Sequence, residues 1–169
     1  EMPWSKSTTT PRGRQSYAWT GRKNENLKTY FHSIDHVIKA HFGATIIGKD
    51  RNITMIGHSA GGGALRSAAR SKALLEIDPG RIIMSDAGYG TWTDSVWDYF
   101  LKQTDKSVFI LLVRKWDTPH KNTVRFLKRF KDGVPDNVVV KVFDRKKYTH
   151  GDIGDESILW SLHSVTNQK

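Results

Sequence analysis

Residues 52–70 of the chain read NITMIGHSAGGGALRSAAR and combine three local signals. The apolar run NITMIG is typical of a short buried strand, and the small and basic residues after Ser59 are typical of a helix. Gly57 and Gly61 flank the tripeptide His-Ser-Ala between these segments. A sharp turn at Ser59 would crowd side chains two residues before it and two residues after it, which explains glycine at both positions. The stretch therefore predicts a strand, a tight turn and a helix.

The rest of the chain alternates between apolar runs and helical patterns. Strands are predicted at residues 52–57, 81–86, 107–113 and 137–144, and helices at 27–43, 59–73, 91–104 (with Thr93 as a candidate N-cap), 123–133 and 156–165. Continuous Val, Ile and Leu runs are typical of parallel strands covered by helices on both faces. We predict an α/β fold with a doubly wound, mostly parallel sheet. Residues 1–169 form a single domain in this interpretation, and residues 1–27 are irregular.

The composition excludes several classes of function. The chain has no cysteine, which removes disulfides, thiolate metal sites and cysteine nucleophiles. No apolar run is long enough to span a membrane. The formal net charge is +10, and residues 114–147 hold eleven basic and four acidic side chains. This block favours an anionic partner or substrate, although a solvated helix face explains the same pattern.

Four residues with catalytic potential follow the four predicted strands. Their order along the chain is Ser59, Asp86, Asp117 and His150. Open α/β sheets place their chemistry at the carboxyl ends of the strands, so these side chains are expected at one edge. Serine is a weak nucleophile until an imidazole accepts its proton and a carboxylate orients that imidazole. Ser59 and the two aspartates each also have a structural alternative. Ser59 would be a small residue that permits packing at the turn, and the two aspartates would cap helices or form Asx turns.

The motif GHSAGG between a strand and a helix, followed by an acid and then a histidine, resembles the α/β-hydrolase family of esterases, lipases and serine peptidases. The resemblance runs from Leu27 to the C-terminus and implies the second half of that fold, without its first strands. It implies that Ser59 is the nucleophile and that His150 is the general base and acid. It also implies that the backbone N–H of Ala60 donates to the oxyanion.

The resemblance gives two positions for the acid. Asp117 follows the strand before the histidine strand, which is the usual place, and it is the preferred residue. Asp86 lies one strand earlier, where a minority of the family carry the acid, and it is the alternative. His120 lies on the same loop as Asp117 and is the main alternative base. His150, Asp152 and Asp155 are a weak metal signal, and neither a metal nor another cofactor is predicted.

The expected reaction is hydrolysis of a carboxylic ester, with an amide or peptide bond next. Only AGYGTW stands where many lipases insert a lid, which predicts an open site that accepts long, anionic or polymeric substrates. Candidate substrate contacts are His58, Tyr89, Trp92 and Trp116. The resemblance leaves two alternatives for the missing strands and the second oxyanion donor: a partner chain or a further N-terminal region supplies them, or the chain is a minimal member of the family. The alternative function is a non-catalytic binding module that holds an anionic polymer on its basic face.

Overall fold

A computed structural model of the chain describes residues 6–9, 15–18, 25–43, 53–104 and 107–162, with side chains described from residue 32 onward. The elements in chain order are β1 (Lys6–Thr9), β2 (Gln15–Ala18), α1 (Glu25–Phe42), β3 (Thr54–His58), α2 (Gly61–Arg70), α3 (Ala73–Ile77), β4 (Arg81–Ser85), α4 (Trp92–Tyr99), a 3₁₀ turn (Leu101–Gln103), β5 (Val108–Arg114), α5 (Thr118–Leu127), β6 (Val138–Phe143) and α6 (His150–Leu162). Residues 163–169, which include the last three residues of the predicted helix 156–165, lie outside the described part.

Strands β3 to β6 form one parallel sheet in the order β3-β4-β5-β6. The register aligns the carboxyl ends of neighbouring strands, because His58 lies opposite Ser85 and Arg114 opposite Phe143. β1 and β2 form a separate antiparallel pair, so residues 1–27 contain two short strands where an irregular segment was expected. The chain therefore has the α/β architecture with a parallel sheet.

The sheet is covered on both faces because its apolar residues alternate between two cores. Ile82, Met84, Phe109 and Leu111 pack with residues of α2, α4 and α5, including Leu65, Val96 and Phe126. Ile83, Ile110 and Leu112 point the other way and pack with Phe143 and with Ile153 of α6. This period of two follows from the pleat of a strand.

The strands follow one another across the described sheet in chain order. The connecting helices α2, α4 and α5 share one face, and α6 covers the other. The reversal of strand order that defines a doubly wound sheet does not occur within the described residues. No helix in this part of the chain combines the length and apolarity needed to cross a bilayer.

The starts of α4, α5 and α6 differ from the sequence-based expectation, and α6 begins at His150 rather than at residue 156. α5 begins at Thr118 rather than at residue 123, with Asp117 as its N-cap residue and a proline in its first turn. An acidic N-cap followed by proline favours helix initiation, and the apolar periodicity begins only later. α4 has Thr91 as its N-cap residue, so the interpretation of Thr93 as the cap was wrong. Thr93 is 2% exposed and lies inside the helix.

Candidate functional site

Ser59 lies on a turn between β3 and α2 that holds an unusual backbone conformation. Its φ is 50°, in the left-handed region that side-chain-bearing residues adopt rarely and at a cost. Its N–H donates to the carbonyl of Ser85 at the end of β4, at 3.0 Å, and its own carbonyl accepts from the N–H of Gly62 at 3.1 Å. These bonds hold the turn against the neighbouring strand.

Glycine is needed at this turn for close approach at Gly57, as expected, and at Gly62 rather than at Gly61. A Cβ on Gly57 would lie 2.6 Å from Leu65 Cδ1 and 3.0 Å from the backbone of Gly61. A Cβ on Gly61 would meet nothing within 4 Å, so the collision expected there is absent. A Cβ on Gly62 would lie 2.7 Å from the carbonyl oxygen of Ala87. Gly62 therefore allows α2 to pack against the loop after β4.

Asp86, at the end of β4, contacts His150 directly. Asp86 Oδ2 lies 2.7 Å from His150 Nδ1, and the Asp86 residue is 1% exposed. Asp86 Oδ1 accepts from the backbone N–H of Arg114 at 3.3 Å, and the Asp86 N–H donates to Leu112 O at 2.7 Å. In the tautomer with hydrogen on Nδ1, His150 donates to Asp86 and keeps Nε2 available to accept a proton. The backbone of Asp86 also has positive φ, 45°.

Asp117 contacts Arg114 rather than His150. Arg114 Nε donates to Asp117 Oδ2 at 2.7 Å, and a second guanidinium nitrogen contacts the same oxygen. Arg114 Nε also lies 3.8 Å from Asp86 Oδ2. The preferred assignment of Asp117 as the acid that orients His150 therefore has no contact to support it, whereas the alternative, Asp86, has one. A guanidinium only three residues from Asp117 in the chain explains the difference.

His150 is the first residue of α6, where a loop was expected. Thr149 and Asp152 form a reciprocal cap at this helix start: the Thr149 N–H donates to Asp152 Oδ2 at 2.6 Å, and the Asp152 N–H donates to Thr149 Oγ1 at 3.2 Å. The bond from the Thr149 backbone holds the pKa of Asp152 below its usual value. Such a capping box fixes the direction in which a helix begins. The pair therefore positions His150, and Asp152 has a structural role.

His58 packs against His150. The two ring centroids lie 4.5 Å apart with 35° between the planes. His58 Nδ1 lies 3.0 Å from the carbonyl of Ser85, and the Ser85 hydroxyl donates to Ile153 O at 2.6 Å. Burial lowers the pKa of His58, with a further lowering from His150. His58 thus supports His150 by packing and through the Ser85 link to α6.

The hydroxyl of Ser59 and the N–H of Ala60 complete the candidate site. Ser59 is half-buried and Ala60 is exposed. Neither group is recorded in a hydrogen bond with another described residue, so no bond joins Ser59 Oγ to His150. Catalytic hydrogen bonds are often long in enzymes without substrate, and such geometry does not remove a candidate. Both groups are available to a bound molecule.

A cleft of about 330 Å³ lies beside His150. Its lining includes His150, Asp86, Tyr89, Arg114 and Trp116, together with residues 117–119. Two of the expected aromatic contacts, Tyr89 and Trp116, are thus at the cleft. Ser59 and His58 do not line it.

Trp92 is the third expected aromatic contact, and it packs against the core instead of the cleft. A Cβ on Gly63 would lie 3.3 Å from the Trp92 ring, which shows how closely α2 approaches it. His120, the alternative base, accepts from the Trp116 N–H at 3.4 Å and makes no recorded contact with Asp86 or Ser59. Its position supports the Trp116 loop.

The described residues contain no group of three or more His, Asp or Glu side chains arranged to hold a metal ion. Comparison with known proteins finds no family model that matches the chain, and no curated protein or solved structure that matches it.

Proposed function

We propose that this chain is a serine hydrolase of the α/β-hydrolase type that acts on carboxylic esters. The observation that supports this proposal most directly is the 2.7 Å distance between Oδ2 of the buried Asp86 and His150 Nδ1, next to the positive-φ turn at Ser59. Ser59 and Asp86 each follow the last residue of neighbouring strands, and those last residues are paired in the sheet. Nucleophile, acid and base follow in the chain order that the family uses.

The first half of the reaction forms an acyl-enzyme. Ser59 Oγ attacks the carbonyl carbon of the substrate and its proton moves to His150 Nε2. Asp86 holds the other ring nitrogen and stabilises the imidazolium that forms. The Ala60 N–H donates to the negative oxygen of the tetrahedral intermediate. His150 then gives its proton to the leaving oxygen as the C–O bond breaks.

The second half releases the acid product. Water attacks the acyl carbon, His150 Nε2 takes the water proton, and the tetrahedral intermediate collapses with return of that proton to Ser59 Oγ. A second oxyanion donor is expected from outside the described residues or from a partner chain. The Ala60 N–H supplies one donor, and each such donor is worth about 10²–10³ in kcat in serine hydrolases.

The open surroundings favour small or extended ester substrates. Residues 86–91 alone connect β4 to α4, which leaves no room for a lid at this position. Ester hydrolysis is the first expectation, because an ester carbonyl is less stabilised by resonance than an amide carbonyl and an alkoxide is a better leaving group than an amide anion. Amide or peptide hydrolysis uses the same residues in the same roles.

Labelling with a fluorophosphonate probe, with the modified residue located by mass spectrometry, tests this proposal. We expect labelling at Ser59, loss of labelling in Ser59→Ala and His150→Ala, and strong reduction in Asp86→Asn. Asp117→Asn serves as the matched control, because Asp117 is a carboxylate on the same edge that does not contact His150. It should label at nearly the wild-type rate.

A folded chain that takes no label would contradict the proposal. Circular dichroism of each variant is needed to show that loss of labelling is not loss of the fold. If the unlabelled chain binds an anionic polymer and releases it with salt, the non-catalytic binding module becomes the better description.

A further inference from the structure

Trp116 lines a second cleft as well as the one beside His150. The second cleft, of about 660 Å³, is lined by Lys115, Trp116, Val142, Phe143, Arg145 and Lys146, together with residue 144. Both volumes lie in the range of small-molecule sites. Because Trp116 lines both clefts, they are neighbours, and a molecule in the first cleft needs only to extend past this residue to reach the second.

The conformation of Trp116 is costly and leaves its ring in solvent. Its φ is 72°, and 61% of the residue is exposed. Lys115 Nζ lies 5.2 Å from the ring centroid, and the His120 ring packs against the indole edge at 6.1 Å. A large exposed aromatic held in a strained backbone is typical of a ligand contact rather than of a core residue.

The charges of the second cleft are available, unlike those of three arginines in the same basic block. Arg114, Arg125 and Arg129 all form ion pairs with aspartates. Lys115, Arg145 and Lys146 form no recorded ion pair with any described residue. The one acid of the cleft, Asp144, accepts from the backbone N–H of Lys146 at 2.9 Å. Three cationic side chains and one carboxylate therefore line the cleft, so its net positive charge attracts anions.

We propose that the substrate carries an anionic group, a carboxylate or a phosphate, on the part remote from the scissile bond, and that this part crosses Trp116 into the cleft of Lys115, Arg145 and Lys146. This inference rests on the proposed hydrolase function and narrows its substrate class. Arginine and lysine bind either anion, and arginine does so through two parallel N–H donors.

The first test compares two p-nitrophenyl esters that differ in one charge: p-nitrophenyl hydrogen glutarate and its neutral methyl ester. The wild type should hydrolyse the charged ester with kcat/KM about tenfold higher, and added salt should reduce this preference. In Arg145→Glu/Lys146→Glu the ratio of the two kcat/KM values should fall about tenfold, because the cleft then repels the anion.

The matched control is Lys128→Glu/Lys131→Glu. It makes the same change in net charge at two exposed lysines that line neither cleft. The control should keep the wild-type ratio. A wild type without preference for the charged ester, or a preference that survives reversal of Arg145 and Lys146 or disappears equally in the control, would overturn the inference while leaving the hydrolase function standing.

Binding measurements test the anion site independently of ester hydrolysis. Calorimetric titration of Ser59→Ala with citrate and with tripolyphosphate distinguishes a carboxylate site from a phosphate site. Saturable binding of either probe that is lost on reversal of Arg145 and Lys146 supports the anion site even if neither ester is hydrolysed, in which case the hydrolase proposal alone fails. Absence of binding of both probes, or equal loss in the lysine control, overturns the anion site.

Discussion

Asp86 and Asp117 are both carboxylates at the same edge of the sheet, and their different partners give them different expected effects. Asp86→Asn should lower kcat for a neutral ester by about 10⁴, because an amide neither stabilises the imidazolium nor holds the required tautomer. Asp117→Asn should lower kcat by less than about tenfold, since it leaves the Asp86–His150 contact in place. Steady-state kinetics on both variants checks this, and equal losses in the two would contradict the assignment of the acid.

The sequence identified both candidate acids but favoured Asp117, which contacts Arg114, over Asp86, which contacts His150. The choice depends on which carboxylate pairs with Arg114. Arg114 pairs with Asp117 because the backbone makes a turn between these two residues. The motif around Ser59 was sufficient to predict the turn, because glycines flank two polar residues directly after an apolar run. The steric role of Gly62 was missed, because it depends on the loop after β4, which is distant in the chain.

His58 gives a prediction on stability and pH. Burial lowers its pKa below the ordinary value of 6.5, His150 adds to this, and Asp86 and Asp155 oppose it. As the pH falls through about 6.5, the unfolded chain binds this proton before the folded chain does, so stability decreases. As the pH falls from about 7.5 to about 5.5, the free energy of unfolding should therefore decrease less in His58→Asn than in the wild type.

Urea denaturation across this pH range measures the difference. His36→Asn, at an exposed position on α1, is the matched control and should follow the wild type. Parallel curves for wild type and His58→Asn would show that His58 does not carry the expected linkage.

At the scale of elements, the adjacent glycines Gly61 and Gly62 of α2 allow a test of close packing, because only Gly62 is crowded by its neighbours. Gly62→Ala should destabilise the protein, because its Cβ would lie 2.7 Å from a backbone oxygen. Gly61→Ala meets nothing within 4 Å and should be neutral or stabilise the helix by up to about 1 kcal/mol. Thermal unfolding of the two variants checks the order. A greater loss in Gly61→Ala would show that the crowding expected from the motif applies after all.

The cap of α6 offers a second test at this scale. Thr149→Ala should lower the free energy of unfolding by about 1 kcal/mol and should reduce ester turnover, because Thr149 fixes the start of the helix that carries His150. Thr149→Ser keeps the hydroxyl and should restore most of both properties. Denaturation and kinetics on the two variants measure this. Turnover unchanged in Thr149→Ala would mean that His150 is positioned without the cap.

The sequence predicted the strands of the sheet to within one or two residues, because buried β-branched runs are bounded by polar turns. It placed the starts of α5 and α6 five or more residues late. The first turns of both helices are polar, so the apolar period that reveals a helix begins only after them. Both omitted turns lie at the candidate site, since residues 118–119 and His150 line the same cleft.

At the scale of the whole molecule, β3 forms one edge of the sheet within the described residues. Ile56 on this strand is 39% exposed. An exposed apolar edge strand is a template for pairing with another chain. Ile56→Lys should therefore reduce self-association of the purified protein, as measured by light scattering after size-exclusion chromatography. Val124→Lys, which changes a similarly exposed residue on α5, should not; equal effects would indicate general solubility rather than strand pairing.

The position of His150 on α6 determines when the proposed site can first work during synthesis. α6 follows all four strands, and its docking across β3, β4 and β5 brings His150 to Asp86. Ser59 and Asp86 leave the ribosome well before this helix. A nascent chain folds from its N-terminal part onward, so under the proposed function it would hold Ser59 and Asp86 without a base until α6 closes over the sheet. The proposed ester hydrolysis would then begin only once α6 has been synthesised.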